Sequence, residues 1–345
     1  MAEDKKGASI EIRKLYKIFG GHPEVMVEKV KNGLTKTELN REHGHVLGLN
    51  DINLSIPAGS IQVVMGLSGS GKSTLIRHIN RLIDPTAGEV LVDGTDVVKM
   101  SPADLRAFRR HKTAMVFQKF ALLPHRTVIA NTVYGLEVQG VSKQRREEIA
   151  RGWIERVGLK GYENHYPSQL SGGMQQRVGL ARALSNDAPI LLMDEAYSAL
   201  DPLIRVDMQT VLLDLQKEIR KTIVFITHDL DEALRLGDQI AILRDGEMIQ
   251  QGTSQDIVLT PADEYVANFV REVNRGKVIQ AKALADNSSD PSTWPDEAIP
   301  ATHTLEEAAR EFARLGVDRL SIVDDSGQKL GVLTMQQTLQ AMVHH

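Results

Sequence analysis

The sequence predicts an α/β fold with a parallel sheet, followed by a smaller α+β unit, and three observations predict it. Short apolar strands and helical patterns alternate from Ile61 to Ile226, as in a layered protein with parallel strands. A glycine-rich stretch ending in Lys72-Ser73 lies between one such strand and a helical run. A polar, Pro-bearing segment, 285–296, sets off a C-terminal unit of two helices and two strands.

Taken in order, residues 9–19 read as a strand, by alternation and β-forming residues. Residues 22–46 break that pattern. Pro23 suits the first position of a short helix ending near Gly33, and Thr35 and Glu38 have the spacing of a capping box for a second. The segment is an inserted helical hairpin. Strands resume at 47–57 and 61–65, with a helix opening near Thr74. Further on come an apolar strand at 189–193, a helix through about 203–220 and a strand at 222–226. The C-terminal unit reads as helix 304–315, strand 319–323, turn 324–327, strand 329–333 and a helix from Thr334. No repeat of solenoid period is present.

Composition narrows the function classes. The 345 residues suffice for one large domain or two, and 41 Lys+Arg against 45 Asp+Glu give a net charge of −4, which argues against a general nucleic-acid binder. The absence of Cys excludes disulfides, thiolate zinc sites and cysteine nucleophiles, and fits a reducing cytosol. No apolar run reaches the 18 or so residues needed to span a bilayer, and no secretory signal follows Met1. A membrane role has to come through a partner. The closing His344-His345 is too short for a metal site.

Gly66, Leu67, Ser68, Gly69, Ser70, Gly71, Lys72, Ser73 and Thr74 match the G-x-x-x-x-G-K-[ST] pattern, after a strand and before a helix. Glycines let successive N–H groups curl around anionic oxygens, and the helix start adds positive potential. Lys72 supplies a point charge to the β- and γ-phosphates, and the Ser73 hydroxyl suits Mg²⁺. This motif by itself says nucleoside triphosphate; kinases, GTPases and ATPases share it.

Two further segments choose among these. The strand ending in Asp194-Glu195, set beside the loop, places Asp194 for Mg²⁺ and Glu195 as general base toward an attacking water. Ser171-Gly172-Gly173 opens a second helix, another anion site. One nucleotide cannot easily use both helix starts of one subunit, so the second is expected to cap the γ-phosphate held by another copy.

With these residues in place the chain resembles the nucleotide-binding subunit of ABC transporters, whose signature is LSGGQ-like, over about residues 9–273. The resemblance implies a P-loop NTPase with a RecA-like core and a helical subdomain. It implies that Gln118 touches Mg²⁺ together with Ser73 and Asp194, and faces a membrane subunit. Ser198–Asp201 would cross a dimer seam, with Asp201 near the nucleotide, and His228 would contact the γ-phosphate. Phe19 would stack on adenine, with Tyr16 as the neighbouring alternative. Glu195, His228 and Lys72 would carry catalysis, in a homodimer gripping two ATP between the phosphate loop of one copy and Ser171–Gly173 of the other.

The 20–46 insertion, the segment 80–88 and the segment 115–128 look like the glycine betaine/proline betaine importers. In these, the apolar Phe120, Leu122, Leu123 and Val128 would receive the permease, or else be core. Residues 305–334 resemble a CBS module, so the domains expected are 1–275, an ATPase, and 276–345, a single or degenerate CBS-like unit. Relatives often carry two such modules. Here one is legible, residues 277–300 reading as too degraded, and Gln337 stands where ligand-binding copies place an Asp, which leaves sensing and packing both open. The implied function is the ATP-hydrolysing subunit of a bacterial importer for a quaternary amine such as glycine betaine, proline betaine or choline. The alternatives are import of histidine or proline, or a soluble ABC ATPase of DNA repair or translation. Implied partners are permease subunits and, indirectly, a substrate-binding protein, with the chain peripheral on the cytoplasmic face of the membrane.

Overall fold

The computed structural model describes residues 7–118 and 121–343. Phe120, the N-terminal Met1–Lys6 and the closing His344-His345 lie outside the described residues. The chain forms two compact units, Met1–Asp229 with Ala241–Ile249, and Leu230–Ile240 with Gln250–His345.

The first unit opens with β1 (Ile10–Phe19), α1 (Glu24–Lys31), α2 (Lys36–His43) and β2 (Val46–Ile56). Then come β3 (Ile61–Met65), α3 (Lys72–Ile79), β4 (Ala87–Val92), β5 (Thr95–Asp96), α4 (Pro102–His111) and β6 (Thr113–Phe117). A helical stretch follows: α5 (Val128–Thr132), α6 (Tyr134–Val138), α7 (Lys143–Arg156) and α8 (Gly172–Ser185). After it come β7 (Ile190–Asp194), α9 (Pro202–Ile219) and β8 (Thr222–Thr227). Past α10 (Leu230–Leu236), β9 (Gln239–Arg244) and β10 (Glu247–Gly252) complete the sheet.

One sheet runs β2-β1-β4-β5, with β1 antiparallel to β2 and β4. The helical hairpin predicted for 22–46 is α1 and α2, with Pro23 as N-cap rather than first helical residue. Thr35 and Glu38 form the capping box. Tyr16, Ile18, Val27, Val30, Leu39 and Leu47 give the hairpin its own buried core against β1 and β2. Closing of the hairpin sets Phe19 opposite Val46.

The other sheet runs β10-β9-β3-β8-β7-β6, with β3, β8, β7 and β6 parallel. Every residue of β3, β7 and β8 is buried, as expected where both faces of a parallel sheet are covered. The strand ending in Asp194 does reach the phosphate loop, as the sequence predicts, with Ser73 Oγ donating to Asp194 Oδ1 at 2.8 Å, although β8 lies between β3 and β7. The register aligns the strand ends: Met65 with Thr227, Ile226 with Asp194, Asp194 with Phe117. The segments after β3, β8, β7 and β6 therefore leave one sheet edge at one level, where open α/β sheets bind ligands. Val128 is buried, so of the two roles open to it the structure assigns core. Leu122 and Leu123 remain partly exposed.

In the second unit, α11 (Ser254–Leu259), α12 (Glu264–Val270) and α13 (Arg275–Val278) lead to β11 (Ala298–Pro300), α14 (Leu305–Leu315), β12 (Arg319–Val323), β13 (Lys329–Thr334) and α15 (Met335–Val343). β11 is parallel to β12 and β13 antiparallel to it, over a core that includes Ile299, Phe312, Leu320, Ile322 and Leu333. Residues 277–300 are thus not a decayed second module. They supply the first strand of this one and are tied to it by backbone bonds, Ala281 N–H to His303 O at 2.7 Å and Asp286 N–H to Val332 O at 2.9 Å.

Candidate active site

The loop 66–71 is shaped by glycines that no other residue replaces. Gly66 has φ +147° and a Cβ there would lie 2.2 Å from Leu243 O; Gly71 has φ +103° and a Cβ would lie 2.7 Å from Gly48 O. The second close approach brings the loop against β2. Leu67, Ser68 and Gly69 are exposed, whereas Ser70 is buried with its hydroxyl unpartnered.

Lys72 opens α3 and turns its Nζ back onto the loop, donating to Gly66 O at 2.8 Å and Leu67 O at 2.9 Å. It is buried, and burial holds its ammonium below the usual lysine range, opposed by the charges of Glu195 and Asp194. Those carbonyls satisfy a cation that phosphate oxygens would bind more strongly. Ser73 Oγ donates to Asp194 Oδ1 at 2.8 Å, and Arg77 reaches Asp194 Oδ2 at 3.3 Å. Arg77 lies one turn beyond Ser73 on the same face of α3, a spacing from which it can be found in the sequence.

Glu195 follows Asp194 with φ +46°, a left-handed conformation that costs a non-glycine residue free energy and concentrates at functional sites. Its N–H donates to Ile226 O at 3.2 Å, and Ser198 Oγ donates to its carbonyl at 2.9 Å. Its carboxylate accepts from Gln118 Nε2 at 3.0 Å, and lies 3.9 Å from Lys72 Nζ and 3.8 Å from His228 Nδ1. Gln118 also approaches Ser198 Oγ at 3.4 Å. Sequence reasoning gave Ser198 a place only in a loop; here its hydroxyl links Gln118 to the backbone of Glu195. Lys72, Ser73, Gln118, Asp194, Glu195 and His228 thus converge on one volume.

The oxygen set of Ser73 and Asp194 suits a hard cation. Among the described residues no group of three or more His, Cys, Asp or Glu forms a complete metal site, so phosphate oxygens would have to supply remaining ligands. This is how Mg²⁺ is ordinarily held beside a triphosphate.

Ser171, Gly172, Gly173, Asp201 and Phe19 stand apart from that cluster. Ser171 N-caps α8, accepting from Met174 N–H at 3.3 Å, and the helix start is exposed. Among the described residues no hydrogen bond or ion pair joins Ser171–Gly173 to Gly66–Thr74. Gly173 is required because a Cβ there would lie 2.6 Å from Ile204 of α9. Asp201 is exposed at the start of α9, with no side-chain capping bond. Tyr16 is buried and Phe19 is 40% exposed; the Phe19 ring lies over Gly48, the residue that touches Gly71.

Comparison with known proteins gives the same picture. The ABC transporter family matches residues 49–198 and the CBS domain family residues 293–344. The glycine betaine transport ATP-binding protein OpuAA of Bacillus subtilis is 49% identical, over 96% of this chain and 78% of that protein. The glycine betaine/proline betaine transport system ATP-binding protein ProV of Salmonella typhimurium is 53% identical, over 81% of this chain and 70% of its own length. Among solved structures, the dimeric post-hydrolysis state of the ATP-binding cassette MJ0796 bound to ADP and Pi is similar with a TM-score of 0.61 and 32% identity, covering 71% of this chain and 98% of that one.

Proposed function

The chain belongs to the family of ABC transporter ATP-binding proteins, and from that premise we propose that it hydrolyses ATP to drive a bacterial importer of a quaternary amine, glycine betaine or proline betaine foremost. The observation that carries the catalytic reading is the register of β3, β8, β7 and β6, which delivers Lys72, His228, Asp194-Glu195 and Gln118 to one sheet edge. The substrate class rests on the likeness to OpuAA and ProV.

In this reading the triphosphate enters the loop 66–74 and draws Lys72 Nζ off the Gly66 and Leu67 carbonyls. Ser73, Asp194 and Gln118 would hold Mg²⁺, which when bound would supply positive charge to offset that of the phosphates. Phe19 offers its ring to adenine, in place of the Lys17 ammonium that lies 5.0 Å from its centroid. Glu195 accepts the proton of the attacking water and His228 holds the γ-phosphate. Ser171–Gly173 of a second copy closes over the same γ-phosphate, and Asp201 lies at the seam. Hydrolysis removes the group that both copies share and releases the pair, a ligand-biased two-state switch.

No helix among the described residues is long and apolar enough to cross a membrane, so attachment is peripheral, through permease subunits served by a substrate-binding protein. The surface assigned to the permease is a cavity of about 380 Å³ lined by Leu82, Phe117, Leu123 and Tyr134 among others, beside Gln118. Residues 1–275 are taken as the ATPase and 276–345 as the single CBS-like unit. The test is turnover: the purified chain should hydrolyse Mg-ATP and, reconstituted with its permease, couple that turnover to betaine uptake. A chain that binds no ATP, or permease complexes that move no betaine, would remove the catalytic and the substrate parts respectively.

A further inference from the structure

His228 is half exposed, and its ring is not fixed by burial. The backbone that carries it is held on both sides. Thr227, buried at the end of β8, accepts from Asp229 N–H at 3.0 Å through its hydroxyl. Asp229 Oδ2 accepts from Arg205 Nη1 at 2.8 Å. Arg205 lies in the first turn of α9, its own N–H donating to Asp201 O at 2.9 Å. Its other terminal nitrogen, Nη2, points to Leu200 O at 3.4 Å. One rigid planar fork therefore spans the Ser198–Asp201 loop and the residue after His228, a geometry that a flexible ammonium cannot reproduce. The pair is partly shielded, with side-chain exposures of 25% and 32%, and Arg205 Nε is buried without a partner. Leaving a donor unsatisfied costs free energy, so fold stability alone is a poor account of this residue.

We propose that Arg205 is a positioning residue that keeps His228 in register with the Ser198–Asp201 loop, so that a displacement of that loop is passed to the histidine. The inference rests on the reading of the chain as an ATPase and adds to it a residue that acts through Asp229 and Leu200. A loop that moves when a second copy docks pulls on Leu200 O, the guanidinium follows, and Asp229 carries the backbone of His228 with it. Hydrolysis then depends on pairing through a physical link and not only through nucleotide contact.

The test uses the full chain with substitutions Arg205→Ala, Arg205→Lys, Asp229→Asn and the double variant Arg205→Ala/Asp229→Asn. Misplacing a reacting group by about an ångström lowers turnover steeply. Arg205→Ala should therefore lose about tenfold or more in kcat, with KM for ATP within about twofold, because the phosphate loop is untouched. Arg205→Lys should recover little of that loss, because an ammonium that pairs with Asp229 cannot also span to Leu200 O. The double variant should be no slower than Arg205→Ala alone, since both changes break one link. Full turnover in Arg205→Ala, additive losses in the double variant, or a fall in kcat that merely tracks the folded fraction by circular dichroism would each overturn the proposal. No turnover in the unaltered chain would instead overturn the ATPase reading on which the proposal stands.

Discussion

The side-chain amide of Gln118 donates to the carboxylate of Glu195 at 3.0 Å, so the residue proposed as the general base is engaged by a donor of its own chain. An oxygen that already accepts this bond has one lone pair fewer to offer a water, so in the proposed reaction Gln118 has to turn away before that oxygen can receive the proton. Gln118 directly follows β6, whose last residue, Phe117, lines the cavity assigned to the permease, so in the proposed assembly the same side chain can report permease contact to the base.

Replacing Glu195 by Gln separates binding from chemistry. The amide keeps the shape and removes the proton acceptor, so turnover should fall by about 10²–10⁴-fold, the usual share of a general base. ATP binding should persist and the variant should elute as a dimer with ATP. Wild-type turnover in this variant would remove Glu195 from the mechanism.

His78 ties acid stability to the helix behind the phosphate loop. Its Nδ1–H donates to Thr74 O at 2.6 Å, its ring is buried, and burial pushes its pKa from 6.5 down to about 4. The unfolded chain therefore takes up the proton first as pH falls. Stability is lost between about pH 6.5 and 4, by on the order of 3 kcal/mol in all. Substituting Asn, which keeps a donor and cannot charge, should flatten that dependence in urea denaturation followed at about pH 7.5 and 5. Equal acid sensitivity of the two proteins would count against this assignment.

What the sequence makes legible here is whatever is set by local spacing. Strand, glycine loop and Lys72-Ser73 lie within a dozen or so residues, so their pattern fixes their geometry, and the capping box at Thr35 stands where the spacing puts it. What is decided at long range is not legible in that way. The insertion of β8 between β3 and β7 is a matter of topology, and the apolar run ending at Asp194 looks the same in either position. Val128 is apolar whether it faces core or partner. Residues 277–300 carry little periodicity because backbone bridges and one short strand, rather than an amphipathic face, hold them to the module.

Gln337 is committed to a local task. Its side-chain oxygen accepts from Thr334 N–H at 2.9 Å and Thr334 Oγ at 2.8 Å, and its own N–H donates to Thr334 Oγ at 3.1 Å, a capping box at the start of α15. Substitution by Ala should cost about 1 kcal/mol, seen as earlier unfolding of the second unit, while ATP turnover stays unchanged. Asp, which fills the same place at the start of α11, should recover most of the loss.

The exposed start of α8 yields the sharpest test of the two-copy site. Gly173 is small because Ile204 Cγ2 stands 2.6 Å from where a Cβ would be, and Ser171 two residues earlier caps the same helix. Gly173→Ala should push the first turn of α8 away from α9 and tilt the Ser171 and Gly172 donors off the γ-phosphate of the opposite copy. Each half-site would still bind ATP through Lys72 and the glycine loop. ATP affinity should thus stay within about twofold, while ATP-driven dimerisation of the Glu195→Gln background and steady-state turnover both drop by about tenfold or more, the scale of losing a preorganised anion donor. Trimming the obstacle, Ile204→Ala, should restore much of both in the Gly173→Ala protein, because the new methyl then has room. Failure of that rescue with ATP affinity intact would mean that Gly173 serves the site through its backbone freedom and not through its fit against α9.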